Sequence, residues 1–281
     1  MFRVLSFAIA ALFSGLSILP IVSSAGTITS AGSTTVQPAM KTCGKAYRKQ
    51  HPDTQIIIAG GGSSKGVKTI GRGKVDIGRA SCKIKQKELN AFPDIKPVKI
   101  GTDGVAIIVH KSNPLNALTS EQVEQLFKGK ISNWQAIGGN DGSVNLISLG
   151  TEHGTYELFA KHFHLHGEEQ DGFLTFENGK AWIAFSQKIA IDKLAHDGNA
   201  IAFGSIGVAT RFAEQGDIKL LTLDGITPTA EHVVDGSYKL SRPLLIITKG
   251  EPAGEVKQFV DFMLQPECQS IVGQLGYIPV K

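Results

Sequence analysis

Ala31-Gly32-Ser33-Thr34-Thr35 follows an apolar run and precedes a helical pattern, and two later stretches repeat this arrangement. They are Gly60-Gly61-Gly62-Ser63-Ser64-Lys65-Gly66 and Gly150-Thr151-Glu152-His153-Gly154-Thr155. A loop of this composition directs free backbone N–H groups and short hydroxyls at whatever lies over the helix N-terminus. Ser and Thr also cap helices without binding a ligand, so one such loop would not decide between the two roles. Three loops in one chain favour a site that surrounds an oxyanion from several sides.

Strand-like runs alternate with helical patterns along the rest of the chain. The strand-like runs are residues 27–31, 55–59, 98–100, 105–110, 144–148, 200–203, 218–223 and 244–248. The helical patterns are residues 36–51, 65–72, 120–128, 155–164, 182–196 and 255–264. This alternation predicts an α/β protein with mostly parallel sheets, whose ligands bind beyond the carboxyl ends of the strands. Because the three loops come from distant parts of the chain, a cleft between two lobes gathers them most simply.

Residues 1–25 have the pattern of a secretory signal peptide. Arg3 precedes an apolar run over residues 4–22, and Ser23-Ser24-Ala25 supplies small residues before an expected cleavage at Gly26. A membrane anchor is the weaker alternative, because the apolar run is short and Pro20 interrupts it. The residue directly after the expected cleavage site is Gly26 and not the Cys of a lipoprotein. We therefore expect a secreted periplasmic protein that is not a lipoprotein.

Composition narrows the class of ligand. The formal charge of +4 falls to +3 when Arg3 is removed, and the basic stretches at residues 65–74 and 83–87 contain no aromatic residue, which argues against nucleic acid. The sequence has no CxxC motif, and the alternating histidines of residues 162–166 follow a helical run, where a solvated helix end is the favoured interpretation over a metal site. We therefore expect no metal and no cofactor.

The second loop also fits G-x-S-x-G, the nucleophile elbow of α/β-hydrolases, with Ser64 as the nucleophile. Asp192 with His196, or Asp224 with His232, would have to complete a triad, and neither pair lies in a recognisable context. A serine hydrolase is kept as an alternative, and the favoured expectation is a protein that is not an enzyme.

Asp76 lies at a strand-to-loop junction in Val75-Asp76-Ile77-Gly78. It could be a surface or capping residue. If it faces a buried anion, its carboxylate repels that anion unless the ligand still carries a proton. Phosphate carries one near neutral pH and sulfate does not.

The order of these motifs resembles the phosphate-binding proteins of bacterial ABC phosphate importers over nearly the whole mature chain. The matching stretches are residues 31–36, 62–66, 75–78, 103–106, 126–134, 154–155 and 276–279. The resemblance implies the two-lobed type II periplasmic binding fold, with crossovers near residues 100–105 and 238–242. One lobe would comprise residues 26–103 plus 241–281, and the other residues 104–240. It also implies an ABC permease as the partner of a monomeric binding protein that is not an enzyme.

The resemblance assigns ligand contacts to five positions in these motifs, and their loop neighbours complete the candidate set. The candidate ligand-binding residues are Ser33, Thr34, Ser63, Ser64, Asp76, His153, Gly154 and Thr155. We expect Thr34 and Ser63 to line the cleft in one lobe, while Gly154 and Thr155 close on them from the other.

Three departures from the family pattern leave the ligand open. Leu149 stands where the family commonly has an anion-binding Arg, His153 replaces a Ser, and Cys82 stands where relatives often have Arg. Losing a bidentate arginine weakens anion binding roughly tenfold or more unless Arg79 or a protonated His153 compensates. Another oxyanion, or a thiophilic species held by Cys82 and presented to a membrane sensor, is the alternative.

The mature chain has three cysteines, and an oxidising compartment permits one disulfide among them. Spacing alone leaves the pairing open. In the fold implied by the resemblance all three fall in the same lobe, and we expect Cys43 to pair with Cys82 while Cys268 stays reduced.

Overall fold

Residues 26–280 are described by the computed structural model. The predicted signal peptide, residues 1–25, lies outside the described residues. Within residues 26–280, none of the helices has the length and apolar character that crossing a bilayer requires.

Strands and helices alternate as the sequence predicts. The strands are β1 (Thr27–Gly32), β2 (Gln55–Gly61), β3 (Ile77–Ala80), β4 (Ile95–His110), β5 (Ala117–Leu118), β6 (Asn145–Leu149), β7 (Glu168–Gln170), β8 (Phe173–Phe176), β9 (Gly179–Ala184), β10 (Ala200–Ser205), β11 (Ile218–Leu223), β12 (Ser241–Lys249) and β13 (Ile278–Pro279). The helices are α1 (Gln37–Gln50), α2 (Gly62–Gly71), α3 (Gln86–Ala91), α4 (Ser120–Phe127), α5 (Gly154–His162), α6 (Gln187–Ala195), α7 (Ile206–Ala213), α8 (Ala230–Val234), α9 (Gly254–Leu264) and α10 (Pro266–Gln274).

The strands form one mixed sheet in the order β2-β1-β3-β12-β4-β10-β6-β9-β8-β7. Strand β4 joins its two halves: residues 95–104 pair with β12, and residues 105–109 pair with β10. Strand β4 changes its partner between Gly104 and Val105. The chain segment that leads back to the first half of the sheet passes Leu240, whose carbonyl accepts a hydrogen bond from the N–H of Val105. The α/β architecture with helices on both sides of the sheet is that of a two-lobed protein.

The strands that carry the three loops are parallel to their neighbours. Strand β1 pairs in parallel with β2 and β3, and β6 pairs in parallel with β9 and β10. Strand β4 pairs antiparallel with β10, β11, β12 and β13, and the pairing of β12 with β3 and the β7–β8–β9 edge are antiparallel too. The sheet is mixed, and not mostly parallel as the sequence predicts. Each of the three loops therefore leaves the carboxyl end of a parallel strand and enters the N-terminus of a helix, as expected from the sequence.

The disulfide joins Cys43 on α1 to Cys268 on α10, with Cα atoms 5.3 Å apart. The predicted pairing of Cys43 with Cys82 is wrong, and Cys82 is the free thiol. Both bonded cysteines are fully buried where α10 packs against α1. Cys82 follows the carboxyl end of β3 and so lies at the edge of the sheet from which the loops emerge.

Candidate functional site

The second and third loops meet across the gap between the lobes. The N–H of Gly154, at the start of α5, donates to Ser63 Oγ, at the start of α2, over 3.3 Å. The N–H of Ser64 donates to the carbonyl of Glu152 over 3.1 Å. A Cβ atom on Gly154 would lie only 2.7 Å from Ser63 Oγ and 3.0 Å from Cys82. The two lobes are therefore closed on each other, and Gly154 permits that approach.

Hydroxyl groups line the first lobe's side of the contact. Ser33 Oγ donates to Ser81 Oγ over 3.0 Å, and the N–H of Ser81 donates to Ser63 Oγ over 3.0 Å. Ser81 was absent from the sequence prediction. Its only sequence signal is its place directly after β3, whose carboxyl end lies beside that of β1.

Four buried side chains of the described residues carry polar atoms without any hydrogen-bond partner in the protein. The atoms are Ser30 Oγ, Thr34 Oγ1, Arg79 Nε, Arg79 Nη1 and His153 Nε2. Thr34 and His153 belong to the first and third loops. A buried donor without a partner costs about 1–3 kcal/mol, so such atoms around a gap between lobes are typical of a binding site.

A second network ties the lobes together at the crossover. The Arg242 guanidinium pairs with Asp103, with Nη2 2.9 Å and Nε 3.3 Å from Oδ2, and also donates to the hydroxyls of Thr35 and Thr155. Gln187 Nε2 donates to the same two hydroxyls over 3.2 and 2.7 Å. Burial raises the pKa of Asp103, and Arg242 opposes that shift. Arg242 and Gln187 have no local signal in the sequence, because their role depends on the packing of the crossover strands and α6.

Asp76 does not join this cluster. Its carboxylate accepts hydrogen bonds from the N–H and the hydroxyl of Thr29, over 2.8 and 2.6 Å. Asp76 directly precedes β3 and Ser81 directly follows it, so the two residues lie at opposite ends of that strand. The proposed ligand role of Asp76 is therefore not supported, and its capping of the start of β1 is the role that the contacts show.

His153 is 3% exposed, and burial lowers the pKa of its imidazole. Arg242 lowers it further, while Glu152 and Glu169 oppose the shift. Nε2 lies 3.5 Å from Glu152 Oε1, without the geometry of a hydrogen bond. In the anion-free protein the ring is therefore neutral at neutral pH, which differs from the charged imidazole considered in the sequence analysis.

Cys82 borders the contact between Ser63 and Gly154. Burial raises the pKa of its thiol to about 11, and Glu157 adds to the effect. Thiophilic ligands bind the thiolate. The protonated thiol at neutral pH gives no support to the thiophilic alternative.

The groups considered for hydrolysis or metal binding are engaged elsewhere. Among the described residues, no hydrogen bond joins the Ser64 hydroxyl to an imidazole. The rings of His196 and His232 each bond a backbone carbonyl on the outside of the second lobe. Residues 162–166 mark the end of α5, where His164 is exposed, and the described residues contain no cluster with the composition of a metal site.

Comparisons with known proteins place the chain in a family. The PBP superfamily domain model matches residues 22–267. The phosphate-binding protein PstS of Staphylococcus epidermidis RP62A is 30% identical over 273 residues, covering 88% of this chain and 77% of that protein. PstS of Bacillus subtilis strain 168 is 28% identical over 257 residues, covering 91% and 81%.

A solved structure from Clostridium perfringens is similar along its entire length. It is described as a phosphate ABC transporter substrate-binding protein with bound phosphate. Its TM-score is 0.81 at 34% identity, and the match covers 91% of this chain and 100% of that one. From the domain match, the relatives and this structural likeness, the chain belongs to the PBP superfamily and, within it, to the family of PstS phosphate-binding proteins.

Proposed function

We propose that this protein binds one phosphate ion between its closed lobes and delivers it to an ABC permease. The observation that carries the proposal is the meeting of the N-terminal ends of α1, α2 and α5, where Thr35 contacts Thr155 and Ser63 contacts Gly154, in loops that also hold the buried, unpartnered polar atoms of Thr34 and His153. Helix N-termini present free N–H groups and partial positive charge to an anion. The named function of the relatives supports phosphate as the ion.

The groups that would hold the ion come from both lobes. Thr34, Ser63 and Ser81 supply hydroxyls from the first lobe. His153 supplies an imidazole from the second lobe. The Gly154 N–H, which donates to Ser63 Oγ in this structure, would exchange that bond for one to the ion. Thr155 is held by Arg242 and Gln187, so it joins the lobes behind the ion. Binding and release of the ion require no covalent step. The predicted signal peptide supports the periplasm as the location of the protein.

The carboxylates of Asp76 and Asp103 are both engaged within the protein, Asp76 by Thr29 and Asp103 by Arg242. Neither is free to repel an oxyanion that has lost its last proton. We therefore propose that sulfate competes with phosphate at this site more strongly than it would at a site with an exposed carboxylate.

The test is isothermal titration calorimetry of the mature chain with phosphate, followed by the same titration with sulfate present. We expect one phosphate per chain, and an apparent phosphate affinity that falls as sulfate is added. Native mass spectrometry of the purified protein would show the added mass of a retained ion. If phosphate produced no binding heat in a protein shown to be folded and stripped of ligand, the proposed function would be wrong. Binding that sulfate leaves unchanged would contradict only the proposal about selectivity.

A further inference from the structure

Arg79 is fully buried and has no acidic partner. It lies on β3, with 0% of its surface exposed, and its Nη2 donates to the backbone carbonyl of Ala59 on β2. Its Nε and Nη1 have no acceptor in the protein. Burial alone lowers the pKa of this guanidinium to about 10, with no opposing contribution from a carboxylate. A buried cation in this state costs several kcal/mol unless a partner compensates it.

The side chain of Arg79 lies beneath the first loop. Gly32, the last residue of β1, pairs with Arg79 across the sheet, and the N–H of Ser33 donates to the Arg79 carbonyl over 3.0 Å. Since β1 lies between β2 and β3, a guanidinium that reaches Ala59 spans the end of β1. The loop that begins the candidate site therefore covers it.

Two other unpartnered hydroxyls, those of Ser30 and Thr34, belong to the same part of the sheet. Ser30 pairs with Ile77, two residues before the Gly32–Arg79 pair, so Ser30 and Arg79 lie on the same face of the sheet. Thr34 lies over the end of β2, where its methyl group is 3.6 Å from the position of a Cβ on Gly60, the neighbour of Ala59. Thr34 Oγ1 and Ser30 Oγ are both unpartnered. Thr34 thus lies over the strand end whose Ala59 carbonyl Arg79 reaches, and Ser30 lies on the same face of the sheet as Arg79.

We infer that Arg79 is the positive charge that holds the bound oxyanion, in place of the arginine that Leu149 does not provide. The inference rests on the proposed function. An oxyanion with oxygen atoms at Thr34 Oγ1 and at Nε and Nη1 of Arg79 satisfies three of the unpartnered atoms and neutralises the buried cation. Leu149 is itself fully buried and apolar, so no side chain from that position can supply the charge.

The test compares Arg79→Met and Arg79→Lys with the original protein. Met keeps the length of the side chain and removes its charge, whereas Lys keeps the charge and loses the planar pair of donors. The control is Arg48→Met, on the exposed face of α1. By calorimetry we expect phosphate to bind Arg79→Met roughly tenfold more weakly or worse, with Arg79→Lys in between and the control unchanged.

Thermal unfolding of the anion-free proteins separates binding from a structural role. If Arg79 stabilised the fold, its replacement would lower the melting temperature of the anion-free protein. Because Arg79 is uncompensated without the anion, we expect anion-free Arg79→Met to melt no lower than the original protein, and to lose the stabilisation that phosphate gives the original.

Phosphate affinity within twofold of the original in Arg79→Met would overturn the inference and leave the proposed function intact. A failure of Arg79→Met to fold, or a clear drop in its anion-free melting temperature, would show that Arg79 is structural and would also overturn it. No phosphate binding by the original protein would refute the proposed function itself, and with it this inference.

Discussion

Gly154 is a residue at which the two lobes are in direct contact. The space for a side chain is already occupied by Ser63 Oγ at 2.7 Å and by Cys82 at 3.0 Å. A methyl group there must separate α5 from α2, at a cost of about 1–3 kcal/mol for overpacking. We therefore expect Gly154→Ala to bind phosphate about tenfold more weakly, measured by calorimetry, since the closed form is the one that surrounds the ion.

The matched control is Gly273→Ala on α10, where the nearest atom to the new methyl group is Pro279 Cγ at an ordinary 3.5 Å. This variant should bind phosphate like the original protein. Unchanged affinity in Gly154→Ala would show that the ion does not need this contact between the lobes.

The sequence patterns predicted the candidate residues of the glycine-rich loops that the fold brings to helix N-termini. Thr34, Ser63 and Gly154 were predictable because strand-loop-helix patterns place them at helix N-termini. Ser81 and Arg242 were not, because each depends on strands from distant parts of the chain lying side by side. Asp76 was misplaced because its neighbourhood in the sequence does not reveal which end of the short strand β3 faces the ligand.

The disulfide stabilises the packing of helix α10 against helix α1. The bond between Cys43 and Cys268 closes a loop with a sequence separation of 225 residues. It links the start of the first lobe to the returning end of the chain, and a loop of this length restricts the unfolded chain strongly. We expect the double variant Cys43→Ala/Cys268→Ala to lose about 2–5 kcal/mol of unfolding free energy.

Chemical denaturation of the original protein, the double variant and the original protein under reducing conditions measures this loss. Reduction should bring the original protein to the stability of the double variant, which itself should not respond. Phosphate affinity should stay unchanged, because the bond lies behind the first lobe and away from the loops. A double variant as stable as the original would show that the bond constrains little.

Elements with strong patterns were predictable and the weak ones were not. The helical pattern expected over residues 182–196 becomes a helix only from Gln187, because Trp182 to Ala184 belong to β9 and pair with β6. Strands β7 and β8 were missed, since β7 consists of exposed polar residues without an apolar alternation. Strand β8 pairs with β9 and β7 pairs with β8, and this pairing provides the context that the local sequence lacks.

At the scale of the whole molecule, the crossover couples the two lobes through side chains. Arg242, on β12, bonds Thr35 beside the first lobe's loop and Thr155 in the second lobe's helix. The salt bridge between Lys85 and Glu157 adds a half-exposed link at 2.9 Å. Closure brings the N-termini of α1, α2 and α5 together, an arrangement that a bound anion stabilises electrostatically.

The closed molecule should also take up protons when it binds the anion. In the anion-free form burial lowers the pKa of His153 below its ordinary value of about 6.5. A bound anion favours the imidazolium and raises that pKa again. Between the two values the complex binds more protons than the free protein, so affinity should strengthen as pH falls through about 6.5 and level off once both forms are protonated.

Calorimetry at about pH 6, in buffers with different ionisation enthalpies, counts the protons taken up on binding. Phosphate titrates in the same range, so the decisive quantity is the difference between the original protein and His153→Ser. The matched control is His164→Ser, because His164 is exposed just beyond the end of α5. We expect His153→Ser to take up fewer protons and to show a shallower pH dependence, while His164→Ser matches the original. Equal uptake in all three proteins would mean that the proton stays on the ligand, and that the second lobe holds the ion through the Gly154 N–H and the dipole of α5 alone.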